Sequence, residues 1–285
     1  MRVRAFAKIN LSLRVLGTRA DGYHELRTIF QSIALHDTLT IRAHRGPFTL
    51  TCDDSACPTD ETNLIARAAA AMWRASGRRG APRGIAIDLV KRIPMQAGLG
   101  GGSSDGAAAL RALARRWRVP ETKVRAAAAA LGADVPYFLE GGTVLGLDRG
   151  DLLFPLIDAR PAWVVLVLPD FGVSTKDAFG WFDRRPASPK LVASSGERRW
   201  VNDLESPVGS RHPELIGIIS ALQRSGATQA AMSGSGSAVF GLFSTRPAAD
   251  RAARRQASSS RRVVVVTRTV NRQSYQRLAA TQPIG

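Results

Sequence analysis

The stretch PMQAGLGGGSSDGAAAL, from Pro94 to Leu110, gathers the residue types and spacing most suited to chemistry. Gly98 and the run Gly100-Gly101-Gly102 allow the backbone to approach a ligand closely, and Ser103, Ser104 and Asp105 follow them. Upstream, Ile85 to Val90 alternates in the manner of a half-buried strand. Downstream, Ala107 to Trp117 is rich in Ala, Leu and Arg and is expected to be helical, with Ser104 or Asp105 as its cap. A glycine loop that feeds a helix leaves the first-turn N–H groups unpaired at the positive end of the dipole, which favours an anion such as phosphate. A Walker loop requires Lys and then Ser or Thr after the last glycine, and no lysine stands there. A dinucleotide fingerprint requires glycine where Ser103 stands and an acidic ribose partner where Arg115, Arg116 and Arg118 stand. The segment is therefore a phosphate-binding loop of another kind.

Three further sites carry candidate groups. Residues Val3 to Val15 alternate, with Ile9, Leu11, Leu13 and Val15 on one face and Lys8, Asn10, Ser12 and Arg14 on the other. Taken alone, Lys8 and Asn10 read as a solvated strand face. The turn Gly17 to Gly22 leads into Tyr23-His24, then Ile29, Phe30, Ile33 and Leu35, and a second alternating strand from Asp37 to Ile41. Asp134 lies in Gly132-Ala133-Asp134-Val135-Pro136, a stiff corner that follows an alanine-rich helix from Glu121 to Leu131. Taken alone, it reads as a turn aspartate bonding local N–H groups.

At 285 residues the chain is long enough for two domains, and 45% apolar residues exclude a disordered class. The N-terminus lacks a signal design because Lys8 and Asn10 interrupt its first apolar segment, and the run Ala162 to Leu168 is too short to span a bilayer. A cytoplasmic location is expected, with no membrane partner. Cys52 and Cys57 have no histidine at metal spacing and read as two free thiols. Of the 40 basic residues only Lys8, Lys91, Lys123, Lys176 and Lys190 are lysines, and the net charge is +17. The arginines are scattered pairs rather than a stripe, and no RNP-like sheet motif, zinc finger or basic tail accompanies them, so nucleic acid is not expected as a partner.

Further along, residues 63 to 76 read as a helix ended by Gly77, and Trp163 to Leu168 as a buried strand that opens a second domain near residue 158. The expected division is 1–157 and 158–285. A helix runs through Phe179 and Trp181, 188–199 is a polar surface loop, and Pro213 to Ser225 is another helix. Ser233-Gly234-Ser235-Gly236-Ser237 is a second glycine loop between strands, followed by a helix from Arg246 to Ser258 and a closing strand from Val263 to Val266.

Pro94-x-x-x-Gly98-Leu99-Gly100-Gly101-Gly102-Ser103-Ser104 resembles the second motif of the GHMP small-molecule kinases, and Ser233 to Ser237 resembles their third. Ala7-Lys8-Ile9-Asn10-Leu11 together with Arg19-Ala20-Asp21-Gly22-Tyr23-His24-Glu25-Leu26 is similar to the branch of these kinases whose acceptor is a cytidine diphosphate derivative of methylerythritol. The resemblance implies an α+β fold of two domains, a ribosomal-protein-S5-domain-2-like N-terminal domain that binds ATP and a ferredoxin-like C-terminal domain. It implies Mg²⁺-dependent transfer from ATP to the 2-hydroxyl of that acceptor. A monomer or weak homodimer is the expected assembly. Under it, Asp134 is the general base, Lys8 the electrostatic stabiliser, and Pro94, Met95, Gln96, Ala97, Gly98, Leu99, Gly100, Gly101, Gly102, Ser103 and Ser104 hold ATP. Asn10, Tyr23, His24, Thr175 and Phe179 meet the acceptor, with Phe171 or Trp181 as alternative stacking partners for the base. The Mg²⁺ ligands are not readable, Ser104 and Asp105 being candidates. Homoserine, mevalonate and sugars are the alternative acceptors, and a basic nucleic-acid-binding module is the alternative outside enzymes.

Overall fold

The computed structural model describes residues 1–185, 201–257 and 262–283, so the expected polar loop at 188–199 lies outside the described residues. In chain order the elements are β1 (Arg2–Thr18), β2 (His24–Pro47), β3 (Thr49–Cys52), α1 (Leu64–Ala75), β4 (Arg83–Val90), α2 (Gly101–Trp117), α3 (Glu121–Leu131), α4 (Tyr137–Glu140), β5 (Thr143–Asp148) and β6 (Leu152–Pro155). They continue as β7 (Trp163–Pro169), α5 (Thr175–Asp183), α6 (Glu205–Arg211), α7 (Pro213–Arg224), β8 (Gln229–Met232), β9 (Val239–Phe243), α8 (Arg246–Gln256), β10 (Arg262–Arg268) and α9 (Arg272–Leu278). Residue 158 lies in the link between β6 and β7.

The first sheet has the order β3-β4-β2-β5-β6, with β1 also paired to β2. Helices α1, α2 and α3 cover one of its faces through Ile65, Met72, Leu110, Leu113 and Val124. Alanines 107, 108, 109 and 112 are fully buried on α2, which brings its backbone close to the sheet. The second sheet is antiparallel in the order β10-β7-β9-β8, with α7 and α8 packed against it, which is the expected ferredoxin-like topology. Its Val164, Leu166 and Phe240 meet Ala7, Ile9 and Leu11 of β1, so this strand is packed from both sides. The chain then returns to the first sheet. Tyr275 of α9 is buried against Phe6, and Gln282 bridges to Arg2.

One irregularity matters for function. Val3 and Ala5 face the helix-side core, whereas Ala7, Ile9 and Leu11 face the second sheet. The pairing with β2 is irregular between Phe6 and Lys8, where two residues of β1 span the length of four of β2, and the change of face falls there. Lys8 and Asn10 are thereby turned inward. They are only 3% and 2% exposed, not a solvated face.

Candidate active site

A cleft of about 1180 Å³ runs between the glycine loop, the open end of β1 and β2, the Asp134 corner and α5. Of the site residues expected from the sequence, all line it except Ser104, the metal candidate Asp105 and the alternative stacking residues Phe171 and Trp181. At its floor Lys8 Nζ donates to Asn10 Oδ1 at 2.6 Å, lies 3.5 Å from Asp134 Oδ2 and sits 5.5 Å from the centre of the Phe30 ring. Asn10 Nδ2 donates to Thr28 Oγ1 at 2.7 Å, which fixes the amide so that its oxygen faces the lysine. Asp134 is one-third exposed and stands in the turn between α3 and α4. It pairs with Lys8 rather than serving only its own turn.

The glycine loop is held through its carbonyls. Leu99 C=O accepts from Lys8 N–H at 3.0 Å, Gly98 C=O from the Ser233 hydroxyl at 3.0 Å, and Ala97 C=O from Ala238 N–H at 3.2 Å. Gly98 and Gly100 adopt left-handed φ of 72° and 70°, which glycine alone reaches without strain. A Cβ on Gly98 would collide with the Ser233 carbonyl, and one on Gly100 would come within 2.7 Å of Phe138. At Gly102 a Cβ would meet nothing, because that position faces the open cleft. Helix α2 begins at Gly101, well before the expected Ala107, and its N-cap is Gly100, which has no side chain to offer. The first-turn N–H groups are thus left to an anion.

Ser104 and Asp105 are the corrections. Ser104 is buried and its hydroxyl donates to Phe6 C=O at 2.7 Å, so it ties α2 to β1 instead of capping the helix or facing ATP. Asp105 is buried against Lys91, whose ammonium lies 2.9 Å from it and 2.5 Å from Asp37. Asp37 also accepts from the N–H groups of Arg92 and Ile93, at the entrance to the glycine loop. Burial pushes the Asp105 carboxyl well up, and neighbouring Asp37 adds to this since one ammonium serves two carboxylates. Burial pulls Lys91 down, but the two carboxylates outweigh it and hold the ammonium above its ordinary range. Neither Ser104 nor Asp105 is available to a metal ion.

The far end of the cleft is built from the β1–β2 hairpin and α5. Asp21 accepts from Tyr23 N–H and from Arg19, and Arg19 also reaches Glu25 and Asp148, so the hairpin tip is cross-linked. Tyr23 is 57% exposed, and the Arg149 guanidinium lies 5.4 Å from its ring centre. His24 stacks on Phe179 at 4.5 Å between ring centres. Thr175 opens α5 behind the Ser174 cap and meets Ser235 Oγ at 3.1 Å. The alternatives to Phe179 point elsewhere: Phe171 stacks on His212 and Trp181 packs beside it, and neither lines the cleft.

Comparison with known proteins agrees with this geometry. The family described as GHMP kinases N terminal domain matches residues 63–142, and GHMP kinases C terminal matches 187–258. The 4-diphosphocytidyl-2-C-methyl-D-erythritol kinase of Solibacter usitatus is 45% identical, over 88% of this chain and 83% of the relative. The enzyme of the same name from Moorella thermoacetica is 41% identical over 93% and 98%. This chain belongs to the 4-diphosphocytidyl-2-C-methyl-D-erythritol kinase family, within the GHMP kinases. It is thus a phosphotransferase. A crystal structure of a 4-(cytidine 5'-diphospho)-2C-methyl-D-erythritol kinase superposes with a TM-score of 0.79 at 36% identity, covering 95% of this chain and all of that one. The homoserine kinase of Cytophaga hutchinsonii shares the fold, with a TM-score of 0.68 at 20% identity over 96% of both chains.

Several members of the site escaped the sequence reading. Thr28 and Phe30 come to Asn10 and Lys8 only through the β1–β2 register, which the sequence does not print. The Asp37–Lys91–Asp105 cluster joins three separate segments. Asp183, four residues after Phe179 on α5, could have been found from helical spacing. Among the described residues no group of three or more His, Cys, Asp or Glu is arranged for a metal. Asp134 and Ser103 line the cleft, and Mg²⁺ held chiefly by nucleotide phosphates would need only one or two such protein oxygens. Among the described residues no helix is long and apolar enough to cross a membrane. Cys52 and Cys57 are both free, and burial and its neighbour Cys52 push the Cys57 thiol up to about 12.

Proposed function

We propose that this kinase transfers the γ-phosphoryl group of ATP to the 2-hydroxyl of 4-(cytidine 5'-diphospho)-2-C-methyl-D-erythritol, a step in the non-mevalonate route to isoprenoid precursors. The observation that carries the reading is the convergence on one cleft of the Lys8–Asp134 pair, the glycine loop and an aromatic end made by Tyr23, His24 and Phe179. The acceptor hydroxyl oxygen attacks the γ-phosphorus and passes its proton to Asp134. The bond from the γ-phosphorus to the bridging oxygen breaks, and ADP leaves with that electron pair. Lys8, held by Asn10, stabilises charge on the phosphoryl group in flight. The unpaired N–H groups at the start of α2 hold the ATP phosphates, and Mg²⁺ when bound neutralises their charge.

In this reading residues 1–157 supply the nucleotide site, the base and Tyr23 and His24, while residues 158–285 close the acceptor side through Thr175 and Phe179. Arg149, Lys176 and Arg184 also line the cleft and suit the acceptor's diphosphate. The test is the double variant Tyr23→Ala, His24→Ala, with KM measured for both substrates. The reading expects acceptor KM to rise at least about tenfold while ATP KM stays within about twofold. Normal acceptor KM in a folded double variant would discard the cytidine assignment.

A further inference from the structure

We infer that Asp183 is a positioning residue that fixes the His24 tautomer, and through it makes the site prefer a pyrimidine with an amino group over one with a carbonyl. This rests on the cytidine reading above. His24 Nε2 lies 2.8 Å from Asp183 Oδ1. A carboxylate has only lone pairs to offer, so the proton of the neutral imidazole resides on Nε2 and Nδ1 is left as an acceptor. Nδ1 has no hydrogen-bond partner among the described residues, and the ring is only 12% exposed while lining the cleft. The ring cannot readily turn to exchange its nitrogens, because Phe179 stacks on its face and Phe182 meets it edge-on at 6.5 Å.

Phe179 and Asp183 are four residues apart on α5, so a single helix face restrains both the plane of His24 and its proton. An acceptor nitrogen on a ring that lines the cleft matches the amine hydrogen of cytosine. The carbonyl oxygen of uracil at the same place sets lone pair against lone pair, which is where discrimination against the wrong partner comes from.

The experiment compares the full-length protein with Asp183→Asn and Asp183→Glu. An asparagine amide can turn its NH₂ toward Nε2 and move the ring proton to Nδ1, whereas glutamate keeps an acceptor-only partner. Two readouts are taken: ¹⁵N chemical shifts of the His24 ring in the free protein, and kcat/KM for the cytidine acceptor against its uridine counterpart. The wild type is expected to show the Nε2–H tautomer. Asp183→Asn is expected to lose it and to lower the cytidine-to-uridine ratio about tenfold, through acceptor KM and with ATP KM and melting temperature unchanged. Asp183→Glu retains both. An unchanged tautomer and an unchanged ratio in Asp183→Asn would overturn the inference. A wild type that holds the Nε2–H tautomer yet ignores the cytidine acceptor would sink the acceptor reading and the base preference with it, leaving only Asp183's hold on the ring.

Discussion

The Lys8 ammonium stands 3.5 Å from the Asp134 carboxylate, although the two residues lie on elements far apart in the chain. Asn10 grips the same ammonium at 2.6 Å, and the loop carbonyl of Leu99 is bonded to the Lys8 backbone. The cation is thus locked between Asp134 and the glycine loop before any ligand arrives, which is the preorganisation that the proposed electrostatic role requires.

Replacing Lys8 by Met should therefore lower kcat about 10²–10³-fold with little change in ATP KM. Lys8→Arg should not restore the rate. The ammonium is held between Asn10, Phe30 and Gly234, and a longer, planar guanidinium cannot keep those contacts and the same place beside Asp134. Steady-state kinetics on the two variants checks this, and a fully active arginine variant would contradict it.

The loop glycines should separate stability from binding. Gly98→Ala forces a Cβ into the Ser233 carbonyl at a left-handed φ, so the denaturation midpoint should fall sharply. Gly102→Ala meets no protein atom, and stability should hold or rise by up to about 1 kcal/mol because alanine favours the helix. Its methyl group projects into the cleft, so ATP KM should rise about tenfold or more. Urea titration beside ATP kinetics distinguishes the two. Equal effects of both substitutions on both readouts would argue against the loop geometry.

The buried triad should respond unequally to its two kinds of member. Lys91→Met leaves Asp37 and Asp105 facing one another without a counter-ion and should cost about 3–5 kcal/mol. Asp105→Asn keeps one full ion pair and relieves a carboxylate that burial already disfavours, so it should cost far less. Chemical denaturation of both variants provides the comparison.

The same cluster sets a pH signature. The Asp105 value is raised on folding, so its contribution is complete at acid pH, below its ordinary 3.8, and is lost as pH rises through the raised folded value. Wild-type stability relative to Asp105→Asn should therefore decline as pH is raised from the ordinary carboxylate range upward. Lys91 is also raised, so its contribution is complete below its ordinary 10.5 and is lost only in stronger alkali. Unfolding midpoints of wild type and Asp105→Asn across pH test the sign, and a difference that grows with pH would refute it.

Much of the fold was legible because its signals are local. The glycines after a strand, the alanine-rich helices, the Gly77 stop and the alternation of β1 each speak through neighbouring residues. The site was legible in its motifs but not in its wiring. Nothing near Lys8 announces the register shift that turns it inward, since strand pairing is a relation between distant segments. Ser104 and Asp105 look like ligands for an anion-bound metal by type and place. They are not, because α2 begins at Gly101 and its turn carries both side chains into the core. The return of Tyr275 to pack where Gly141 leaves no room for a side chain is likewise invisible in either segment alone.

The most direct measurement is ADP release by the purified protein with Mg²⁺ and ATP, offering 4-(cytidine 5'-diphospho)-2-C-methyl-D-erythritol, homoserine, mevalonate or no acceptor, in wild type and Asp134→Asn. The account predicts turnover with the cytidyl acceptor alone and a loss of about 10²–10⁴-fold in kcat for Asp134→Asn, with ATP KM nearly unchanged. Turnover with another acceptor in its place, or an Asp134→Asn variant as fast as wild type, would contradict it.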